Sequence, residues 1–145
     1  PYPVIDVRVL PEQMQFVDPV EKALVTMQPA EIPFLLRDRD IDVGFFTLRP
    51  ADSDNIEQLR SDDRVILLSF MVDARQQGKG YASRSLVQLP RLAKEIFPYI
   101  CSIGLSVNCR NTQAYRLYEK NGFRDVGELY HGGCAGPQHI MVMEV

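Results

Sequence analysis

"VILLSFMVDARQQGKGYASRSLVQL", residues 65–89, decides how this chain is built. Its opening run, with Arg64 before it, is apolar except for one serine and reads as a strand. Its end starts a helical stripe: Ala82, Leu86, Leu89, Ala93 and Ile96 recur three and four apart. Pro90 falls inside that stripe, and an interior proline costs about 3 kcal/mol, so a kink or altered turn is expected there. Between strand and helix lies "RQQGKGYA", Arg75 to Ala82, with Gly78 and Gly80 flanking Lys79. A helix start leaves free N–H groups and a partial positive charge. Glycine lets the backbone take positive φ and approach a ligand closely. Together these make an anion site suited to phosphate, with Arg75 and Lys79 adding charge. A strand-to-helix turn that needs glycine for geometry alone explains the same octamer.

Working outward, "ICSIGLSV" (Ile100–Val107) reads as a buried strand. Strand, helix and strand from Arg64 to Val107 then form a parallel crossover unit, expected to be right-handed. "NTQAYRLYEKNG" reads as a second helix, with Asn111 as N-cap and Asn121-Gly122 as a left-handed stop. "FRDVGELYH" and "PQHIMVMEV" read as two closing strands. Upstream, "VIDVRVL" (Val4–Leu10) alternates apolar and polar residues, the mark of a half-buried strand. Pro11 stands at a helix start, Met14, Phe16 and Val17 form its apolar face, and Pro19 breaks it, predicting two short helices with a bend near Asp18. "FLLRDR" and "DVGFFTLRP" predict a hairpin, because the gap between them is short. "ADSDNIEQLRSDD" is polar, with few residues to anchor it, and is expected to be mobile. No repeat, low-complexity tract or domain boundary appears. The expectation is one domain over residues 1–145, a mixed α/β sheet with helices packed on it.

At 145 residues and 46% hydrophobic content, the chain can bury a real core. No apolar run approaches the roughly 18 residues of a membrane span, and the start carries no cationic leader. A net charge of -3 argues against a nucleic-acid binder. Cys101, Cys109 and Cys134 are odd in number and lack CxxC spacing, so reduced thiols, no disulfide, no zinc site and a cytoplasmic location are expected. His131 and His139 have no metal-ligand partners nearby in sequence and are expected at the surface or in strands, so no metal is expected.

Two phosphate motifs fail. The P-loop needs Gly-Lys followed by Ser or Thr, but Lys79 sits between the glycines. The dinucleotide pattern needs a third glycine where Ser83 stands, and an acidic residue ending a second strand is missing. "RQQGKGYA" instead resembles the acyl-CoA pyrophosphate loop of the GNAT superfamily of N-acyltransferases, Q/R-x-x-G-x-G/A, with Arg75, Gly78 and Gly80 in its three fixed places. "NCRNTQAYRLYEKNGF" is similar to the family's N-x-x-A-x-x-x-Y-x-x-x-G-F signature at Asn111, Ala114, Tyr118, Gly122 and Phe123. "DVGFF" resembles the strand before the cofactor strand, and the order of elements matches over essentially the whole chain.

The resemblance implies a splayed mixed sheet of about seven strands flanked by about four helices. It implies acetyl-CoA as cosubstrate, in a cleft between the strand ending at Val72 and the strand Ile100–Val107. Backbone N–H groups from Gln76 through Gln77, Gly78, Lys79 and Gly80 to Tyr81 would hold the pyrophosphate. Val72 would bind the pantetheine arm by main-chain hydrogen bonds, and Asn111 would meet it with its side chain. Tyr118 would be the general acid that protonates the leaving thiolate. A phenol near pKa 10 is still protonated at neutral pH, which suits that role. Read without the family, Tyr118 is a core tyrosine and Asn111 a simple N-cap. Tyr115 reads as packing, and Cys109 as a strand-end thiol.

The acceptor is less legible. An amine with a pKa near 10.4 is unprotonated at pH 7 in only about one molecule in 2,500, so a base or a water chain is needed. Asp73 and Glu31 are weak candidates for it. Asp38, Asp40, Asp42, Asp52, Asp54, Glu57, Asp62 and Asp63 crowd one stretch, with arginines interspersed. They read as a solvated face, or else as the wall of a cleft for a cationic acceptor. The context "MVDARQQGKGYA" is similar to small family members that acetylate polyamines, which implies a small primary amine. A protein N-terminus or lysine, or acyl-CoA binding without transfer, are the alternatives. The resemblance allows a homodimer, because many relatives pair.

Overall fold

The computed structural model describes residues 7, 8, 13 and 18–145. Within them run α1 (Val20–Val25), β1 (Ile32–Asp38), β2 (Ile41–Pro50), β3 (Arg64–Val72), α2 (Tyr81–Ile96), β4 (Ser102–Asn108), α3 (Thr112–Lys120), β5 (Arg124–Tyr130) and β6 (Gln138–Glu144). The six strands form one sheet in the order β1-β2-β3-β4-β6-β5. Six strands and three α-helices are fewer than the sequence predicts. The expected strand Val4–Leu10 and the helix bearing Met14, Phe16 and Val17 lie outside the described residues, apart from isolated positions. Pro19 stands at the start of α1 as its N-cap residue.

The predicted hairpin forms, with β1 and β2 antiparallel and Arg39 at φ 58 in the turn. β3 and β4 are parallel, as a strand-helix-strand crossover requires. Their pairing is short: Arg64, Val65 and Ile66 meet Ser102, Ile103 and Gly104, and the ladder stops. Beyond that point β3 carries an extra residue relative to β2, and Ser69 takes φ 55. Such a bulge bends and twists its strand, here where β3 leaves β4. The sheet is thus splayed at one seam.

Strand alternation sorts the core onto the two faces of the sheet. Phe46, Leu48, Val65, Leu67, Leu105, Met141 and Met143 pack with Leu86, Leu89 and Ala93 of α2. Phe45 and Met71 face the other way, against Val20 and Ala23 of α1. Leu86, at 1% exposure, gains about 1.5–3 kcal/mol from burial. The helical stripe departs from expectation at its end. Ile96 is exposed and Phe97 is buried instead, because α2 stops at Ile96 and the C-cap residue Phe97 turns inward. α2 remains one helix through Pro90.

The polar connection Ala51–Asp63 is better anchored than its composition suggests. Ala51 and Leu59 are buried, and Asp54 takes Arg49 Nη2 at 2.6 Å and the Ile56 N–H at 2.9 Å. The acidic stretch is also not one patch. Asp38 and Asp42 sit at the β1–β2 turn, whereas Asp52 to Asp63 lie beyond the far end of the ten-residue β2. No helix among the described residues is long and apolar enough to cross a membrane.

Candidate active site

The splayed seam leaves a half-open cleft of about 230 Å³. Val72, Gln76, Gln77, Gly78, Gly80, Tyr81, Asn111 and Tyr118 line it, so two motifs more than thirty residues apart meet there. Asp73 donates its N–H to the Val43 carbonyl on β2 at 2.8 Å. Since N–H and C=O groups alternate between the two edges of a strand, those of Val72 face the opposite edge, toward the cleft. The unpaired end of β3 is therefore a main-chain hydrogen-bonding edge.

A short 3-10 turn (Ala74–Gln76) leads from β3 into the loop. Its closing bond takes the Gln76 N–H to the Asp73 carbonyl at 2.9 Å, so that N–H is already engaged. The next N–H groups, Gln77 to Tyr81, find no acceptor among the described residues. Gly78 and Gly80 have φ 79 and 82, conformations that suit glycine, and a Cβ on either would meet nothing within 4 Å. Gly80 is also the N-cap residue of α2. The result is free donors at a helix start with open space before them, the arrangement an anionic ligand needs.

Two predicted ligand side chains stand apart from this arrangement. The Arg75 guanidinium grips Asp73, Nε to Oδ1 and Nη2 to Oδ2, each at 2.9 Å. Lys79 Nζ donates to Gln76 Oε1 at 2.9 Å. Neither residue lines the cleft. Asp73, fully buried, also accepts the N–H groups of Arg8 and Arg75. The Arg75 guanidinium above all, against the opposing effect of burial, holds its carboxyl down at about 2. A carboxylate so occupied is a poor base, and it is buried rather than facing solvent. Glu31 lies beside Arg49, 3.7 Å away, and does not line the cleft.

Asn111 caps α3, its Oδ1 accepting the Ala114 N–H at 3.4 Å, and the residue also lines the cleft. Tyr118 is 8% exposed and packs edge-on against Phe70 and Phe123. Its hydroxyl has no hydrogen-bond partner among the described residues. Burial pushes its phenol well above the ordinary tyrosine value, so it stays protonated at any neutral pH. Tyr115 packs against the core as expected, but its hydroxyl also donates to Asp125 Oδ2 at 3.0 Å. Tyr81 donates to Asp38 at 2.7 Å, tying the hairpin turn to the start of α2.

Sequence reasoning missed Gln13, Phe70, Gln113, Ala114 and Leu117 as cleft residues. Helical spacing from Asn111 and Tyr118 could have found Ala114, three residues from one and four from the other, but not Gln113 or Leu117. Gln13 carries no sequence signal. A larger groove of about 860 Å³ lies past Tyr81, between α2 and β1, with Arg37, Arg84 and Leu92 among its walls. Of the expected cosubstrate residues Tyr81 reaches it, and of the acidic stretch Asp38 does. Among the described residues no cluster of three or more His, Cys, Asp or Glu could hold a metal.

The chain is 34% identical over 95 residues to the uncharacterized N-acetyltransferase YbbJ of Bacillus subtilis (strain 168), covering 66% of this chain and 59% of that protein. It is 37% identical over 107 residues to the spermine/spermidine N(1)-acetyltransferase of the same organism, covering 71% and 63%. The chain thus spans about 60% of the length of these relatives. Among solved structures, an aminoglycoside acetyltransferase AAC(6')-Ib in complex with coenzyme A superposes with a TM-score of 0.69 at 22% identity, over 81% of this chain and 68% of that one. A chimera of the Vibrio cholerae spermidine N-acetyltransferase SpeG and hSSAT gives 0.65 at 21% identity, over 86% and 70%. At such identities the superpositions speak for the fold. A family model matches residues 7–123, a span that holds the splayed strands, the glycine loop and the helix of Tyr118, and the chain belongs to the acetyltransferase (GNAT) family.

Proposed function

We propose that the protein transfers an acetyl group from acetyl-CoA to the primary amine of a small cationic molecule. The observation that carries this reading is the meeting of free loop N–H groups, a strand edge that has no partner strand and the Tyr118 residue in one cleft. The N–H groups of Gln77 to Tyr81 would take the pyrophosphate, with Gln76 contributing at most its side chain. The main chain of Val72 and the amide of Asn111 would take the pantetheine arm. Arg75 and Lys79 would act from outside the cleft, Arg75 by fixing the loop on Asp73.

In the reaction the free amine attacks the thioester carbon. A C–N bond forms and the C–S bond breaks. The leaving sulfur takes the proton of the Tyr118 hydroxyl, which solvent then restores, and the amine gives its surplus proton to water. Tyr118 is available to donate because its phenol is protonated at neutral pH and no described partner holds its proton, while burial makes it a weaker acid than a free phenol. Among the described residues no carboxylate lines the cleft, so the amine's proton is assigned to water. A polyamine-like acceptor is supported by the kinship to a spermine/spermidine acetyltransferase. The acids do not wall this cleft, so charge complementarity adds nothing to that choice.

The test is calorimetric titration with acetyl-CoA, CoA and NADH in parallel, followed by an amine screen. Binding of the CoA species alone at micromolar concentration is expected. Gly80→Val should weaken it by about a hundredfold, because a β-branched residue is strained at φ 82 and its side chain would fill the space before the helix. Undiminished affinity in that variant would remove the loop from the cosubstrate site.

A further inference from the structure

We propose that the side chain of Gln77 is a built-in stand-in for the pantetheine arm, holding that arm's main-chain acceptor until the cosubstrate displaces it. This deepens the acetyl-CoA reading and rests on it. Gln77 Nε2 donates to the Val72 carbonyl at 3.2 Å and to Gln13 Oε1 at 3.0 Å. All three residues line the cleft. The Val72 carbonyl belongs to the β3 edge that faces away from β2, so it is the acceptor any ligand lying along that edge would meet. An unpaired carbonyl there would be costly once water is excluded. A pantetheine arm offers amide N–H donors, and a glutamine side chain offers the same chemical group.

The arrangement is economical in sequence. Gln77 immediately precedes Gly78, so its own peptide N–H is the first free donor of the loop while its side chain fills the arm's place. Cosubstrate that seats its pyrophosphate on the loop must push this amide off Val72 to lay down its arm. Each such neutral hydrogen bond is worth roughly 1 kcal/mol net, so its loss weakens the arm's binding several-fold. Gln77 is therefore a residue that tunes affinity for the arm and leaves the nucleotide end unaffected. Its other bond reaches Gln13, 64 positions away, so displacement also breaks that contact.

The experiment titrates acetyl-CoA, and ADP as a nucleotide pyrophosphate without the arm, into the unsubstituted chain, Gln77→Leu and Gln13→Leu. Gln77→Leu is expected to bind acetyl-CoA about three- to tenfold more tightly, with ADP affinity unchanged. Gln13→Leu should move acetyl-CoA in the same direction by about threefold or less. It carries the test if Gln77→Leu loses its cooperative thermal transition. Equal or weaker acetyl-CoA binding in the variants, or a parallel shift for ADP, overturns the proposal while the acetyl-CoA reading stands. Failure of the unsubstituted chain to bind either ligand removes that reading and the proposal together.

Discussion

β4 has two neighbours, and it treats them differently. Toward β6 it pairs along its whole length, from Ser102 with Glu144 to Asn108 with Gln138. Toward β3 it pairs only through Gly104. The same strand thus closes one seam and opens the other. The closed side is a ladder backed by Met141 and Ile140, both at 0% exposure. The open side exposes main-chain groups, a free tyrosine hydroxyl and a glycine loop. Stability and chemistry are separated across the width of one strand, so a substitution can be aimed at either.

The strongest way to sharpen this contrast is Tyr118→Phe. Turnover is expected to fall by about a hundredfold or more, with acetyl-CoA affinity and thermal midpoint nearly unchanged, in steady-state assays beside calorimetry. An unchanged rate would leave the open seam without its proton donor. Leu105→Ala strikes the closed seam: it should cost about 3 kcal/mol in denaturant unfolding, since Leu105 is 2% exposed. A loss under 1 kcal/mol would mean the closed seam is not the structural one.

Asp73 lies between the two roles. Its folded carboxyl titrates at about 2 against 3.8 for the free group, so its stabilisation is present above pH 3.8 and is lost as pH falls through about 2. Asp73→Asn should therefore lose about 2 kcal/mol at neutral pH, somewhat less because half-exposed Arg75 is screened, and nothing below pH 2. Acid titration of the thermal midpoint in both proteins checks it, and a constant difference down to pH 1.5 would contradict the assignment. The smallest effect belongs to Asn111→Ala. Its long cap bond is worth about 0.5–1 kcal/mol of stability, and a weakening of acetyl-CoA binding beyond that would reveal the second role of its amide.

The sequence carried what local chemistry encodes. Caps, glycine turns and apolar periods placed the hairpin, the crossover, α3 and its Gly122 stop, and the two motifs that converge. It did not carry partners set by long-range contact. Arg75 read as a loop residue adding charge from its place in the octamer; that its guanidinium lies on Asp73, which also accepts the distant Arg8 N–H, had no local signal. The connection after β2 read as unanchored because Leu59 finds its packing on Ile140 and Val142, remote in sequence. Ile96 was misplaced by a single residue, since periodicity cannot say where a helix yields to its cap.

One consequence concerns Pro90. A proline brings no amide, so the Leu86 carbonyl lacks the donor it would have one turn on. The ladder of α2 is thereby notched between a first half that begins at the glycine loop and a second half sealed by Ala93 and Phe97. Hydrogen exchange should report two protection levels along one helix, with the loop-bearing half opening more readily. The binding end could then breathe with its ligand while the far end keeps the sheet covered.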